Sequence, residues 1–567
     1  MGEKDIYRHD VIVIGGGLSG LRAAIEACDC GADVAVVSKV YPLRSHSVAA
    51  QGGINAALGN SPEAKNDTWE KHAFDTIRGS VYLADQDAVE VLCRQAPETV
   101  LELEHWGTVF SRDHEGKIAQ RPFGGADVPR TCYAADRTGH NLMNTLFEQA
   151  SYRGITFYNE YFVTSLVVDE EICRGCIALN LRSGKVHAFA SSSLILATGG
   201  YGMIYDHSTN SLINTGDGMA LAINAGAQLK DMEFVQFHPT TLYGSNILIS
   251  EGARGEGAYL VNSEGDRFMA RYAPQSMELA PRDIVARSIM KEIKAGRGFK
   301  DGYVHLDLRH LGADIIKERL PGIRQIAMDF AGLDPVEVPI PVQPGQHYSM
   351  GGIDVNIDGE TGVKGLYAVG ECACISVHGA NRLGGNSLLD TLVFGRRTGR
   401  KACSESNDGH VPILKEVMTR EIQRLQDLIN NKGEGFAPLM SEIKKTMFDR
   451  FGIFRDEADM NEGLRSLNDL GQRYKQVSVK GSGKAFNQSL IRVLELGYMV
   501  DTAEAVALSA IERKESRGSH FRTDFPDRSD DLYLKHTIIS TDDKLQRSID
   551  FSPVKLGLFP VKGDNYQ

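Results

Sequence analysis

The sequence predicts an α/β protein in which one parallel-sheet domain is interrupted by an α+β insert and followed by a helical domain and a small C-terminal region. Three patterns carry this prediction. A strand, a glycine-rich loop and a helix open the chain, an apolar strand ending in glycine returns at residues 193–202 and 363–371, and charged helical periodicity begins after about residue 410. We therefore expect a first sheet part at 1–230, an insert at 231–345, a second sheet part at 346–410, a helical domain at 411–525 and a C-terminal region at 526–567.

The N-terminal unit has the pattern of a Rossmann-like, dinucleotide-binding fold. An apolar run at 9–14 leads into a G-x-G-x-x-G loop, a helical segment and a second strand at 33–39. Glycines permit a tight turn, and a helix N-terminus offers free N–H groups to a pyrophosphate. The second strand ends in Ser38-Lys39, where an acidic residue usually holds a ribose, so the Ser38 hydroxyl is the candidate for that contact. The loop residues expected to hold the cofactor are Gly15, Gly17, Leu18, Ser19 and Gly20.

Composition and charge exclude some classes of function. The 567 residues are 42% hydrophobic and 24% charged, and no apolar run approaches the roughly 20 residues that span a bilayer. The strand pattern starts soon after Met1, so we expect no secretory signal, and nine irregularly spaced cysteines fit reduced thiols in a cytoplasmic protein. A net charge of -12 argues against a nucleic-acid partner. An anionic substrate would therefore need a dense local cluster of cations.

No metal site is expected on this chain. Cys173 and Cys176 have metal-ligand spacing, but no second Cys or His pair accompanies them. We expect them on a turn between two strands, and any iron on another chain.

Four loop motifs place a cation or an imidazole beside glycine or proline. Taken alone, an arginine in a loop is best interpreted as a solvated charge, and a histidine in a loop as a structural residue. Together they predict an anion site, because arginine presents a planar fork to a carboxylate, and two such sites would bind both ends of a four-carbon dicarboxylate. The motif residues are His238, Ser250, Glu251, Arg254, His347, Arg382 and Gly385.

A further arginine lies at the predicted start of a helix. Pro281 near the first helical position puts Arg282 in the first turn, where the helix dipole opposes a cation by roughly 0.3 to 1 kcal/mol. This placement suggests a function for Arg282. The alternative is a surface arginine paired with Asp283 or Glu278.

The motifs resemble those of the flavoprotein subunits of succinate dehydrogenase and fumarate reductase over essentially the whole chain. The most specific are Arg-Ser-His-Ser at 44–47 with Ala-Gln-Gly-Gly at 50–53, His-Tyr-Ser-Met-Gly-Gly at 347–352 and Asn-Arg-Leu-Gly-Gly-Asn-Ser at 381–387. The stretch at 517–526 also looks like that family's C-terminal signature. The resemblance implies an FAD-binding domain with a capping insert, and FAD linked covalently through His46. Further cofactor contacts implied are Ser38, Lys39, Ser45, Gln51, Gly52, Gly53, Asp217, Glu371, Ser387 and Leu388.

The resemblance also implies the substrate site and the reaction. His238 with Ser250 would hold one carboxylate of succinate or fumarate, and His347 with Arg382 the other, beside Gly385. Arg282 would carry the proton while a hydride passes between substrate and FAD, with Glu251 and Arg254 as the relay to solvent. Ser250 replaces the threonine of many relatives and keeps the hydroxyl.

The implied partners are an iron-sulfur subunit and one or more membrane anchors that handle quinone. Iron-sulfur clusters, and haem if there is any, would lie on those chains, and this subunit would be peripheral at the cytoplasmic face of the inner (plasma) membrane.

Two alternatives remain at this point. One is a soluble L-aspartate oxidase, which has no histidine at the position of His46, and the other is an FAD-binding scaffold without turnover. The same residues serve succinate oxidation and fumarate reduction.

Overall fold

The computed structural model describes residues 5–406, 415–481, 483–542 and 546–563. The strands are β1 (Ile6–Arg8), β2 (Val11–Ile14), β3 (Val34–Ser38), β4 (Ile54–Asn55), β5 (Gln120–Arg121), β6 (Thr131–Cys132), β7 (Thr156–Asn159), β8 (Tyr161–Asp169), β9 (Ile172–Asn180), β10 (Val186–Ala190), β11 (Ser193–Leu196), β12 (Leu229–Lys230), β13 (Val235–Leu242), β14 (Tyr259–Val261), β15 (Val304–Asp307), β16 (Ile340–Ser349), β17 (Gly352–Asp354), β18 (Leu366–Ala368), β19 (Ala373–Cys374), β20 (Lys535–Thr541) and β21 (Arg547–Pro553). The helices are α1 (Leu18–Asp29), α2 (Trp69–Gly79), α3 (Gln86–His105), α4 (Thr138–Tyr152), α5 (Asp217–Asn224), α6 (Gly252–Gly255), α7 (Met269–Tyr272), α8 (Arg282–Lys294), α9 (Ala313–Arg319), α10 (Pro321–Ala331), α11 (Asn386–Glu405), α12 (Lys415–Asn430), α13 (Phe436–Phe451), α14 (Glu457–Tyr474), α15 (Gln488–Glu512) and α16 (Asp530–Tyr533).

A five-stranded parallel sheet forms the centre of the first domain. Its strand order is β18-β11-β2-β3-β7, and every neighbouring pair is parallel. Strands β2, β3 and β11 are buried along their whole length, as expected of parallel strands covered on both faces. The predicted strand, loop and helix unit is confirmed, and β18 pairs with β11 although about 170 residues separate them. The late return of a strand to the same sheet is therefore confirmed.

The insert is built on an antiparallel sheet of order β13-β16-β15-β14. It has its own hydrophobic cluster, whose buried members run from Leu242 to Val342 and include Leu306 on β15 and Ile289 on α8. Strand β16 continues past residue 345, because Ser349 pairs with Val235 at the start of β13. The exact limits of the domains stay a prediction.

The last third of the described chain is mainly helical, as the periodicity predicts. Helices α13, α14 and α15 pack on one another, and the C-terminal region contributes strand β20. This strand pairs with β12 of the first sheet part, in a sheet of order β19-β17-β12-β20-β21. A tail this short buries its apolar side only by joining strands from other parts of the chain. The predicted boundary between residues 410 and 411 lies outside the described residues.

The expectation for the cysteine pair is wrong. Cys173 and Cys176 lie within β9 and are buried, and the turn comes before them at Glu170 and Glu171, which have positive φ. Cys173 pairs with β8, and Cys176 pairs with both β8 and β10, so strand β9 runs through both thiols. Within the described ranges, no group of three or more His, Cys, Asp and Glu side chains is arranged to hold a metal ion. None of the helices in those ranges is both long and apolar enough to cross a membrane.

Candidate functional site

One elongated cavity runs from the glycine loop before α1 to the insert. It brings together residues from β2, β3, β13, β16 and the start of α11, which are distant in sequence. The predicted residues that line it are Gly15, Gly17, Ser19, Ser38, Lys39, Ser45, His46, Gln51, Gly52, Gly53, Asp217, His238, Ser250, Glu251, Arg282, His347, Glu371, Arg382, Gly385, Ser387 and Leu388. The predicted residues that do not line it are Leu18, Gly20 and Arg254.

The glycine loop lies at one end of this cavity. Gly15 has φ of +115°, and a Cβ there would come within 2.2 Å of the Ala197 carbonyl oxygen, so only glycine fits. Gly20 packs on the loop itself, since its Cβ would lie 2.0 Å from the Gly15 oxygen. Gly17 is the N-cap of α1 and has no capping side chain of its own, and Ser47 Oγ accepts the N–H of Leu18 at 3.3 Å. The remaining N–H groups of the first turn and the helix dipole favour an anion at this end of the cavity.

The lysine after β3 is held by two carboxylates. Lys39 Nζ donates to Asp217 Oδ2 at 2.7 Å and to Glu495 Oε1 at 3.0 Å. The amino charge is therefore compensated within the protein. Glu495 lies on α15, so the helical region contacts a residue that lines the cavity. Sequence analysis did not find Glu495, because nothing near it in sequence marks a contact 456 residues away.

His46 opens a short 3-10 turn in the middle of the cavity. The Ser211 backbone N–H donates to its Nδ1 at 3.3 Å, and Asn210 Nδ2 lies 3.4 Å from its Nε2. Desolvation lowers the pKa of His46 to about 4, because the charged form is disfavoured away from water. The ring is therefore neutral near pH 7 and can act as a nucleophile.

Two more imidazoles meet at the insert end of the cavity. The ring centroids of His238 on β13 and His347 on β16 are 5.1 Å apart. Burial, and then the charge of Arg282, lower the pKa of both histidines well below the ordinary value. Both rings are therefore neutral hydrogen-bonding groups. The Thr209 hydroxyl fixes His347 through a 2.9 Å contact with Nδ1.

Arg382 is a buried cation beside these rings. Its Nη2 donates to Gln236 Oε1 at 3.1 Å and its Nη1 to the Leu383 carbonyl at 3.3 Å, while its Nε has no hydrogen-bond partner among the described residues. Burial, together with the nearby Arg282, lowers its pKa to about 9. A buried cation without a carboxylate costs several kcal/mol. The arrangement therefore favours binding of an anion.

Arg282 begins a chain of alternating charges that leads away from the cavity. Its Nε donates to Glu251 Oε2 at 2.8 Å, and Arg254 Nη2 lies 3.8 Å from the same oxygen. Burial raises the pKa of Glu251, but the charges of Arg282 and Arg254 outweigh it and hold the pKa below the ordinary value. Arg254 lies behind Glu251 and donates to the Glu278 carbonyl.

The alternative of a surface arginine at the start of α8 is wrong. Arg282 is buried and pairs with Glu251, whereas Asp283 pairs with Arg287 and Glu278 with Arg267. The tertiary fold brings Glu251 to the helix N-terminus, where it offsets the unfavourable helix dipole.

Gln236 is part of the site, and sequence analysis gave it no role. Its Oε1 accepts hydrogen bonds from both Arg282 and Arg382, at 3.1 Å each. A signal was present, because Gln236 lies two positions before His238, and alternate residues of a strand face the same side.

Comparison with known proteins is consistent with this site. Residues 10–388 match the family described as FAD binding domain, and residues 440–566 match the family described as fumarate reductase flavoprotein C-term. The chain is 45% identical to the succinate dehydrogenase flavoprotein subunit of Rickettsia bellii, over 97% of this chain and 96% of that protein. It is 41% identical to the fumarate reductase flavoprotein subunit of Mycobacterium tuberculosis, over 98% of each. A solved chain of E. coli quinol fumarate reductase superposes with a TM-score of 0.95, at 39% identity and 98% coverage of each chain.

The fold and the site define an FAD-binding oxidoreductase. The chain belongs to the family of succinate dehydrogenase and fumarate reductase flavoprotein subunits. The resemblance identified from the sequence is thereby confirmed, and the alternative of an L-aspartate oxidase is not favoured.

Proposed function

We propose that this chain interconverts succinate and fumarate with an FAD bound covalently through His46. The observation that carries the proposal is the pair of buried arginines, Arg282 and Arg382, facing two neutral histidines in a cavity whose other end is a glycine loop. Arg282 pairs with Glu251, but Arg382 has no carboxylate partner among the described residues, so a dicarboxylate supplies the negative charge that the two arginines together still lack. A scaffold without turnover has no need for such a cluster, since it destabilises the empty protein.

The residues along the cavity fit an FAD. The glycine-rich N-terminus of α1 suits the pyrophosphate, and Ser38 at the end of β3 suits a ribose. Glu371 Oε1 accepts the Ser349 N–H at 2.9 Å, and burial raises its pKa to about 7. When bound, FAD accepts or returns a hydride. The other residues proposed to hold it are Gly15, Gly17, Leu18, Ser19, Gly20, Lys39, Ser45, Gln51, Gly52, Gly53, Asp217, Ser387 and Leu388.

The substrate residues act by position and charge. His238 and Ser250 bind one carboxylate, and His347 and Arg382 bind the other, with Gly385 allowing close approach. Fixing the reacting carbons in one orientation lowers the barrier by several kcal/mol, roughly what preorganised positioning supplies elsewhere. The insert acts as the cap that excludes water from this end.

Arg282 transfers the proton. It removes a proton from one central carbon during succinate oxidation and donates one to fumarate in the reverse direction. The Nε contact with Glu251 gives that proton a path, and Arg254 continues it.

We further propose that the chain works within a complex. Its electrons leave singly, so an iron-sulfur subunit receives them, and membrane anchors exchange them with quinone. The solved relatives include a quinol-fumarate reductase with menaquinol and a Mycobacterium smegmatis Sdh1 complex with UQ1, which supports a quinone partner. The chain would be peripheral, at the cytoplasmic face of the membrane.

Two measurements test the proposal. The purified complex, assayed with dyes of known potential, should oxidise succinate and reduce fumarate, and the ratio of the two rates gives its direction. In a denaturing gel, this chain should fluoresce under ultraviolet light from attached flavin. The His46→Ser variant should lose the band's fluorescence, and the control His140→Ser, an exposed histidine on α4, should keep it. A wild-type band without fluorescence would contradict the covalent link.

A further inference from the structure

The two arginines of the site share one acceptor. Arg282 Nη1 and Arg382 Nη2 each lie 3.1 Å from Gln236 Oε1, in a fully buried position. Like charges this close repel each other, and burial strengthens the repulsion. The amide oxygen is the negative end of a dipole, so it offsets part of that repulsion and sets the separation of the two guanidiniums.

The orientation of this amide is itself constrained. Gln236 Nε2 donates to Asn381 Oδ1 at 2.8 Å and to the Arg382 carbonyl at 2.8 Å. Both N–H bonds are therefore used, and a flipped amide would place N–H groups against two cations. Asn381 in turn donates to Asp283 Oδ1 at 3.0 Å, which joins the bond network to α8, the helix that carries Arg282.

We propose that Gln236 is a positioning residue that holds Arg282 and Arg382 at a fixed separation for the dicarboxylate. This inference rests on the proposed function. Gln236 lies behind the residues that line the cavity and acts through the two guanidiniums. Its neutrality matters, because a carboxylate at this position would pair with the cations and compete with the substrate for them.

Two variants separate positioning from packing. Gln236→Met keeps the length of the side chain and removes both the acceptor and the Nε2 donor, whereas Gln236→Glu keeps the shape and the acceptor, removes the donor and adds a negative charge. Gln343→Met is the matched control, because Gln343 is also buried, lies on β16 of the same sheet and bonds to Asn246 instead of the arginines. Each variant is purified as the assembled complex with its FAD.

The readouts are kcat and KM for succinate and fumarate, the Kd of malonate from the flavin absorbance change, and flavin fluorescence in a denaturing gel. We expect Gln236→Met to lower kcat by about 10- to 100-fold and raise KM about 10-fold. We expect Gln236→Glu to raise the malonate Kd about 100-fold, more than Gln236→Met does, while attached flavin is retained in both. Gln343→Met should stay within 3-fold of wild type.

Three results would overturn the inference. One is a Gln236→Met complex whose kcat and KM stay within 3-fold of wild type. Another is a Gln236→Glu complex that binds malonate as tightly as wild type, which is what a packing role predicts. The third is loss of folded, flavin-bearing protein in Gln236→Glu, since a positioning role leaves fold and cofactor intact. A wild-type complex inactive with both substrates would instead refute the proposed function.

Discussion

Replacing Arg282 with lysine tests the proton-transfer role most directly. The guanidinium uses Nε for Glu251 at 2.8 Å and Nη1 for Gln236 at 3.1 Å, which leaves Nη2 for the cavity. A lysine has one nitrogen, which can pair with Glu251 or reach the substrate but cannot hold both geometries. The charge stays, so FAD and substrate binding should be largely preserved.

The expected loss is in kcat. Positioned general acid and base groups contribute about 10²- to 10⁴-fold, so kcat of Arg282→Lys should fall by that factor, which is about 2.7 to 5.5 kcal/mol. KM should change by less than about 10-fold, because a cation remains. The assay is steady-state fumarate reduction and succinate oxidation by the purified complex, with flavin content measured in parallel.

The matched control is Arg287→Lys on the same helix. Arg287 pairs with Asp283 at 2.7 Å and donates to the Gly518 carbonyl, away from the cavity. The Arg287→Lys complex should keep a near-normal kcat. An Arg282→Lys complex with full flavin content and kcat within 10-fold of wild type would refute the reasoning.

Three further predictions concern the cofactor end and the fold. Gly15→Ala should abolish FAD binding, because its Cβ would lie 2.2 Å from the Ala197 oxygen at a positive φ; flavin absorbance checks this, and normal flavin content would contradict it. Lys39→Met should leave the carboxylate of Asp217 without its cation, and Glu495 with Arg492 alone, and destabilise the protein by about 3 to 5 kcal/mol in denaturant unfolding, with partial recovery when Asp217→Asn is added. The pKa of His536 is lowered by burial, but Asp231 and Asp85 outweigh this and raise it to about 9 from the ordinary 6.5. The charged form of His536 therefore contributes about 3 kcal/mol to the free energy of unfolding below about pH 6.5, and this contribution is lost as pH rises through about 9. The melting temperature of the wild-type protein should fall over that range. A His536→Gln variant with the same fall would contradict the assignment.

Local sequence patterns predict much of the fold and many residues of the candidate site. The apolar runs at β2, β3 and β11, the glycine loop before α1 and the proline at the start of α8 each act over a few residues, so the sequence alone predicts them. The same holds for the motifs that supply His46, His238, His347 and Arg382. The predicted turn at Cys173 and Cys176 was wrong because pairing of Cys173 with β8, and of Cys176 with β8 and β10, overrides the local turn pattern.

By itself, then, the sequence determined the fold class, the family and the residue types at both ends of the cavity. Only the tertiary structure decided which charged and polar side chains pair with one another. Lys39 meets Glu495, Arg282 meets Glu251, and Gln236 lies between two arginines. These contacts join residues from 31 to 456 positions apart, and no local periodicity or motif spacing encodes them. Their strength depends on burial, which the chain acquires only when the sheet domain, the insert and the helical region pack together.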